Sequence, residues 1–144
     1  MASLLPDLHG TALDGTALVL PRDLPPMATV LLFGYQHEAR QDIGLWKRAL
    51  DAAGIPWMSL PVAQEGTPAE ALEGIAAAMR HHAPERDWGH TVMVHEGGTA
   101  LLMATGWVPD AFAKVLLVDG DGEVLFHHGG PCTDAAVEGL TTAF

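Results

Sequence analysis

The spacing of apolar residues restricts this chain more than any other feature. From residue 29 onward, apolar runs of strand length alternate with stripes of helical period. Val30, Leu31, Leu32 and Phe33 form one uninterrupted run, and Val115, Leu116, Leu117 and Val118 form another. Such runs suit central strands covered on both faces. Strands are therefore predicted over residues 29–33, 57–61, 91–95, 114–118 and 123–127. A helix over 38–53 carries Ala39, Ile43, Trp46, Leu50 and Ala53 at steps of three or four, with Gly54 as its stop and Pro56 preventing continuation.

The remaining elements follow from turn and cap chemistry. Asp14-Gly15, flanked by apolar residues, predicts a hairpin over 11–20. Thr67, Pro68 and Glu70 read as a capping box opening a helix whose inward stripe is Leu72, Ile75, Ala76 and Met79. A short helix is expected over 97–106 with Ala100, Leu101, Met103 and Ala104 inward. Asp119-Gly120-Asp121-Gly122 joins the last two strands as a hairpin. Thr133 caps a final helix with Ala136, Val137, Leu140 and Phe144 on its apolar side. Strands alternating with helices and ending in a hairpin predict an α/β fold with a mixed sheet and helices on both faces.

Charge and cysteine usage narrow the function classes. Seven Lys and Arg against 18 Asp and Glu give a formal net charge of −11, a surface that repels phosphate backbones and anionic membranes. No nucleic-acid or membrane partner is expected. Cys132 is the sole cysteine, so the chain makes no intrachain disulfide, Cys-x-x-Cys pair or multi-thiolate zinc site. The start shows no basic segment leading into a long apolar run, and a cytoplasmic protein is expected.

Three segments carry a resemblance. They are Pro6-Asp7-Leu8-His9-Gly10 with the Leu13-Asp14-Gly15 turn, the strand Val30-Leu31-Leu32-Phe33-Gly34, and the hairpin running from Val115 through Asp119-Gly120-Asp121-Gly122 to Val124. With these the chain resembles the thioredoxin-like superfamily, in its peroxiredoxin and thiol–disulfide oxidoreductase branch. More narrowly, the Phe-containing strand, Asp42 and Trp46 on the first helix, and the late Leu-Val-Asp hairpin are similar to a cysteine-free subgroup like the mitochondrial ATPase-assembly-factor family. The resemblance implies a three-layer thioredoxin-like fold with an N-terminal β-hairpin, as one domain over residues 1–144. It also implies a redox cysteine after the strand ending at Phe33 and a cis-proline directly before the strand at 114. The chain departs from both. The turn reads Tyr35-Gln36-His37-Glu38-Ala39-Arg40, with no sulfur, and Pro109 stands four residues short of Ala113.

These departures lead to the expectation of a non-redox domain acting as a protein-binding or assembly module, with a protein partner or a second copy of itself and no cofactor. Two alternatives stay open. One is a redox-related enzyme, either a one-cysteine peroxidase using Cys132 or a thiol-oxidoreductase-like protein. The other is a polar catalyst using His37, Glu38 and Arg40. The candidate ligand-binding residues are Tyr35, Gln36, His37, Glu38 and Arg40, because a helix N-terminus presents free N–H groups to an anion. Cys132 reads as a bland, partly buried thiol. The His127-His128 pair points to opposite faces of a strand and does not chelate one ion; His37, His95 and one of the pair could converge from neighbouring strand ends, but no recognised ligand spacing supports a metal site. Asp119 to Gly122 is a turn without the later ligands of a calcium loop. Gly97-Gly98-Thr99 precedes a helix without the lysine of a phosphate loop. Trp88 and Trp107 are the candidate exposed aromatics of a contact surface.

Overall fold

The computed structural model describes residues 5–144. Its elements follow the predicted order: β1 (Leu8–Ala12), β2 (Ala17–Leu20), β3 (Thr29–Gly34), α1 (Ala39–Ala53), β4 (Trp57–Pro61), α2 (Ala69–His82), a 3-10 helix (Glu85–His90), β5 (Val92–Glu96), α3 (Gly98–Thr105), β6 (Lys114–Val118), β7 (Val124–His128) and α4 (Asp134–Ala143). One sheet has the order β4-β3-β6-β7, with β3 parallel to β4 and antiparallel to β6. A second, β2-β1-β5, is antiparallel. Parallel bridges Ser59–Thr91 and Val62–Val94 join the two along β4 and β5. The result is one continuous mixed surface.

The period of two along β3 decides what each layer buries. Val30 and Leu32 face Ile43, Trp46 and Leu50 of α1 and Ala136 and Leu140 of α4. Leu31 and Phe33 face the other way, with Leu8, Leu20 and Leu101 of α3. Beneath α2, Ala76 packs with Leu13 and Met93. Met93 points opposite to Val92 and Val94, which join the α3 layer, so α1, α2 and α4 share one face and α3 covers the other. Helices on both faces of a mixed sheet are as expected. Among the described residues no helix is long and apolar enough to cross a membrane.

Several local expectations are corrected. β1 begins at Leu8, earlier than the predicted hairpin, because it also pairs with β5. The Asp14-Gly15 turn itself forms, with Gly15 at φ 95° and the Asp14 carboxylate accepting from the Thr16 amide at 3.0 Å. Thr67 does not cap α2. Pro68 holds the N-cap place at ψ 150°, and the Thr67 hydroxyl donates to the Gln64 carbonyl instead. Along α2 only Ala76 is buried and Ile75 is 43% exposed, because α2 stands apart from α1. In α3 only Gly98 and Leu101 are buried. Ala100 and Ala104 are exposed and Met103 is 81% exposed, since an eight-residue helix turns one narrow face inward. Phe144 is exposed as well. Two caps are as predicted: Gly54 ends α1 in the left-handed region at φ 70°, and Thr133 accepts from the Ala136 amide at 3.1 Å.

Candidate functional site

β3 is buried along Val30 to Phe33 and ends at the surface, where it delivers Tyr35. The Tyr35 hydroxyl donates to the Gly98 carbonyl at 2.9 Å. Burial pushes its phenol far above the ordinary range, so it is a fixed donor and not a base. Gln36 Nε2 donates to the Pro109 carbonyl at 3.2 Å. These two contacts tie the β3–α1 turn to α3 and to the 107–112 loop.

His37, Glu38 and Arg40 are exposed on the same turn. An open cleft of about 660 Å³ lies between α1 and α2, and Tyr35, Gln36, His37 and Arg40 line it. Glu38 is not among the lining residues; it occupies the α1 N-cap position without a side-chain cap bond. No hydrogen bond joins it to His37 among the described contacts, so the two are not assembled as an acid–base pair. Sequence reading missed the rest of the cleft. Ile43 and Lys47 of α1 and Ile75 and Met79 of α2 form its walls, over Ser59 and Thr91. The signal was present: Arg40, Ile43 and Lys47 recur at helical spacing and so share a face.

Ninety residues separate Cys132 from Asp42, yet the Cys132 amide donates to Asp42 Oδ1 at 2.8 Å. Asp42 Oδ2 accepts from the Ala113 amide at 2.9 Å. The lone thiol is thus held beside the first turns of α1. Its surroundings oppose ionisation: burial, then the negative charges of Asp42 and Asp134, push its pKa above the ordinary thiol value of 9.0. A raised pKa leaves less thiolate at neutral pH, and thiolate is the nucleophile. Iodoacetamide is therefore expected to alkylate folded Cys132 more slowly at pH 7 than the same residue in urea, with a rate still climbing above pH 9. A fast reaction levelling off below pH 8 would contradict this. Ala113 stands directly before β6, where the resemblance calls for a cis-proline. The peptide before Pro109 is trans, since the one cis bond among the described residues is Leu20–Pro21. A proline at 113 would have no N–H to give Asp42.

The other candidate centres are occupied by the protein's own groups. Asp119 Oδ1 accepts from the Asp121 and Glu123 amides at 2.9 and 3.0 Å, which closes the hairpin turn. The Gly97 amide at the start of α3 donates to Glu65 Oε1 at 3.0 Å. Gly97 has φ 97°, and a Cβ there would lie 2.2 Å from the Asp7 carbonyl oxygen. No group of three or more potential metal ligands forms among the described residues; His37, His95 and the His127-His128 pair do not converge.

The exposed-aromatic expectation needs correction. Trp88 is half-buried against the cluster beneath α2 and donates to the Ala83 carbonyl at 3.1 Å. Trp107 packs against the α3-side core. Val108, 70% exposed, and Phe112, 39% exposed, follow Trp107 in the chain and are among the exposed large apolar side chains of the described residues. Both sit on the loop that Gln36 holds against the turn.

No protein-family model matches the chain, and no curated protein matches it either. Solved structures do. BsSco, a member of the Sco family of cytochrome c oxidase assembly proteins, superposes with a TM-score of 0.65 at 14% identity, over 99% of this chain and 94% of that one. The pneumococcal exposed lipoprotein thioredoxin Etrx1 from Streptococcus pneumoniae gives 0.60 at 16% identity, over 96% and 100%. Yeast Sco1 gives 0.61 at 14% identity, over 96% and 92%. At these identities the likeness establishes the fold, which is thioredoxin-like. It does not carry activity across.

Proposed function

We propose that this thioredoxin-like domain has given up thiol chemistry and works as a protein-binding or assembly module, consistent with its resemblance to a cysteine-free, assembly-factor-like subgroup. One observation carries the reading. The turn that would present a redox cysteine has none, while Val108 and Phe112 expose apolar surface on the loop fastened to that turn. Exposed apolar side chains grouped on a pinned loop suit a protein contact better than a reaction centre. The Sco family consists of cytochrome c oxidase assembly proteins, which agrees with this reading without establishing it. The surroundings of Cys132 disfavour the thiolate, which counts against it as a replacement nucleophile.

A second reading, a polar catalyst, is favoured by the shared placement of His37 and Arg40 on the cleft. It is weakened by Glu38 standing outside it. The excess of acid over base makes a nucleic-acid or membrane partner the poorer choice, and the expected setting is the cytoplasm.

Two measurements test the preferred reading. In insulin-reduction and peroxide-consumption assays the protein is expected to show no turnover, with Cys132→Ser matching the parent; turnover abolished by Cys132→Ser would overturn it. A photo-crosslinker placed at position 108 is expected to trap one defined partner, or a second copy, and Phe112→Ser to abolish the adduct. Crosslinks insensitive to that change would also overturn it.

A further inference from the structure

The cleft between α1 and α2 lies apart from the Val108–Phe112 surface and has a different character. Its walls are apolar: Ile43 on one side, Ile75 and Met79 on the other. Ile75 sits on the inward stripe of its helix and is nonetheless 43% exposed, because it faces the cleft and not a neighbouring helix. A volume of about 660 Å³ falls in the range of small-molecule sites, about 300–1,000 Å³.

The charges of the cleft run against those of the chain. The protein carries −11 overall, yet Arg40 and Lys47 both line the cleft. Neither takes part in an ion pair among the described residues. Asp87 is the one carboxylate in the lining, and His90 engages it at 3.0 Å. Lys47 rests over the Trp57 ring, 4.8 Å from its centroid. Lys47 is half-buried; burial lowers its pKa, and the negative charges of Asp87 and Asp51 oppose that shift. The floor adds polar groups. The Thr91 hydroxyl donates to the Asp87 carbonyl. Ser59 is 5% exposed, and no described residue hydrogen-bonds its hydroxyl. Arg40 and Lys47 stand two turns apart on one helix face, about 10 Å of rise, close enough for two long side chains to converge on one anionic head.

We propose that the α1–α2 cleft binds a small amphipathic carboxylate. The apolar body lies against Ile43, Ile75 and Met79, and the carboxylate is held by Arg40 and Lys47, with the Ser59 hydroxyl free to donate. An apolar wall alone would accept a neutral chain equally well, and exposed cations alone would accept any anion. The combination selects for both parts in one molecule.

Calorimetric titration of the whole chain with decanoate, below its micelle concentration, tests this. Decanoate is expected to bind saturably. Decanol, which lacks the charge, and acetate, which lacks the chain, are each expected to bind at least about tenfold more weakly. Arg40→Gln and Lys47→Gln should each weaken decanoate about tenfold without altering decanol. Ile75→Asp, a change at a half-exposed position that leaves the core intact, should weaken decanoate as well. Val108→Asp should leave it untouched, so this inference and the protein-binding reading fail separately. Absence of decanoate binding, equal binding of decanol, or charge variants that bind as the parent does would overturn the proposal.

Discussion

Asp42→Ala is expected to lower stability by about 3–5 kcal/mol, a large loss for removing so small a side chain. Asp42 is 6% exposed, and each of its oxygens accepts a backbone amide, Ala113 on one side and Cys132 on the other. Those amides belong to the segments that lead into β6 and α4. One carboxylate therefore fixes where the sheet's second half and the last helix meet α1. Truncation leaves two N–H donors unmatched in a poorly hydrated place, each costing about 1–3 kcal/mol. Asp42→Asn keeps one acceptor oxygen and turns the other into a donor facing a donor, so it should recover little. Urea unfolding gives the magnitude, and a loss below about 1 kcal/mol would refute the staple. The thiol offers a second readout. Asp42 is the first charge raising the Cys132 pKa after burial itself, so folded Asp42→Asn should alkylate faster than the parent at pH 7.

The staple also marks where sequence legibility ends. The strands and most helix limits were readable because they depend on neighbours along the chain: the run from Val30 to Phe33, the αL stop at Gly54, the Thr133 cap. Apart from the Thr67 cap, whose hydroxyl turns to the nearby Gln64 carbonyl, the expectations that failed depend on what lies across space. Ile75 has the right period for burial, but period cannot show that α2 stands off from α1. Trp88 and Trp107 lie in irregular segments, yet their large apolar area is drawn into the core wherever the chain passes near it. The candidate site was half legible. Tyr35, Gln36, His37 and Arg40 were found because a strand-to-helix turn is local. Lys47 and the α2 wall were not, because a cleft between two helices exists only after both have docked.

The contact between Asp110 and Lys114 is expected to be lopsided, with Asp110→Ala more damaging than Lys114→Met. Lys114 is 2% exposed. Its ammonium donates to Asp110 Oδ1 at 2.8 Å and to the Gly129 carbonyl at 2.9 Å. Asp110 is 43% exposed on its side chain and also accepts from the Phe112 amide. Removing the aspartate strands a buried cation on a single neutral acceptor, a change that costs about 3–5 kcal/mol. Removing the lysine leaves an aspartate that water can reach and an apolar side chain of similar length in its place, at a cost of about 1–2 kcal/mol. The double variant should lie near Lys114→Met, well short of the sum, because the stranded charge is gone. Acid unfolding follows the same logic. Burial pushes the Asp110 pKa up, but the Lys114 ammonium and the Phe112 amide outweigh it and hold it below the ordinary 3.8. A depressed folded pKa gives stability that is present above the unfolded value and lost as pH falls through the folded one, so the parent should lose part of its stability below about pH 4 and Lys114→Met should lose less. The consequence reaches the proposed contact surface, since this pair ties the middle of the segment bearing Val108 and Phe112 to the first residue of β6. Asp110→Ala should abolish crosslinking from position 108 under conditions where most of the protein is still folded, whereas Lys114→Met should retain much of it. Equal losses for the two variants, or the reverse order, would mean that the ammonium is not the partner that holds this loop.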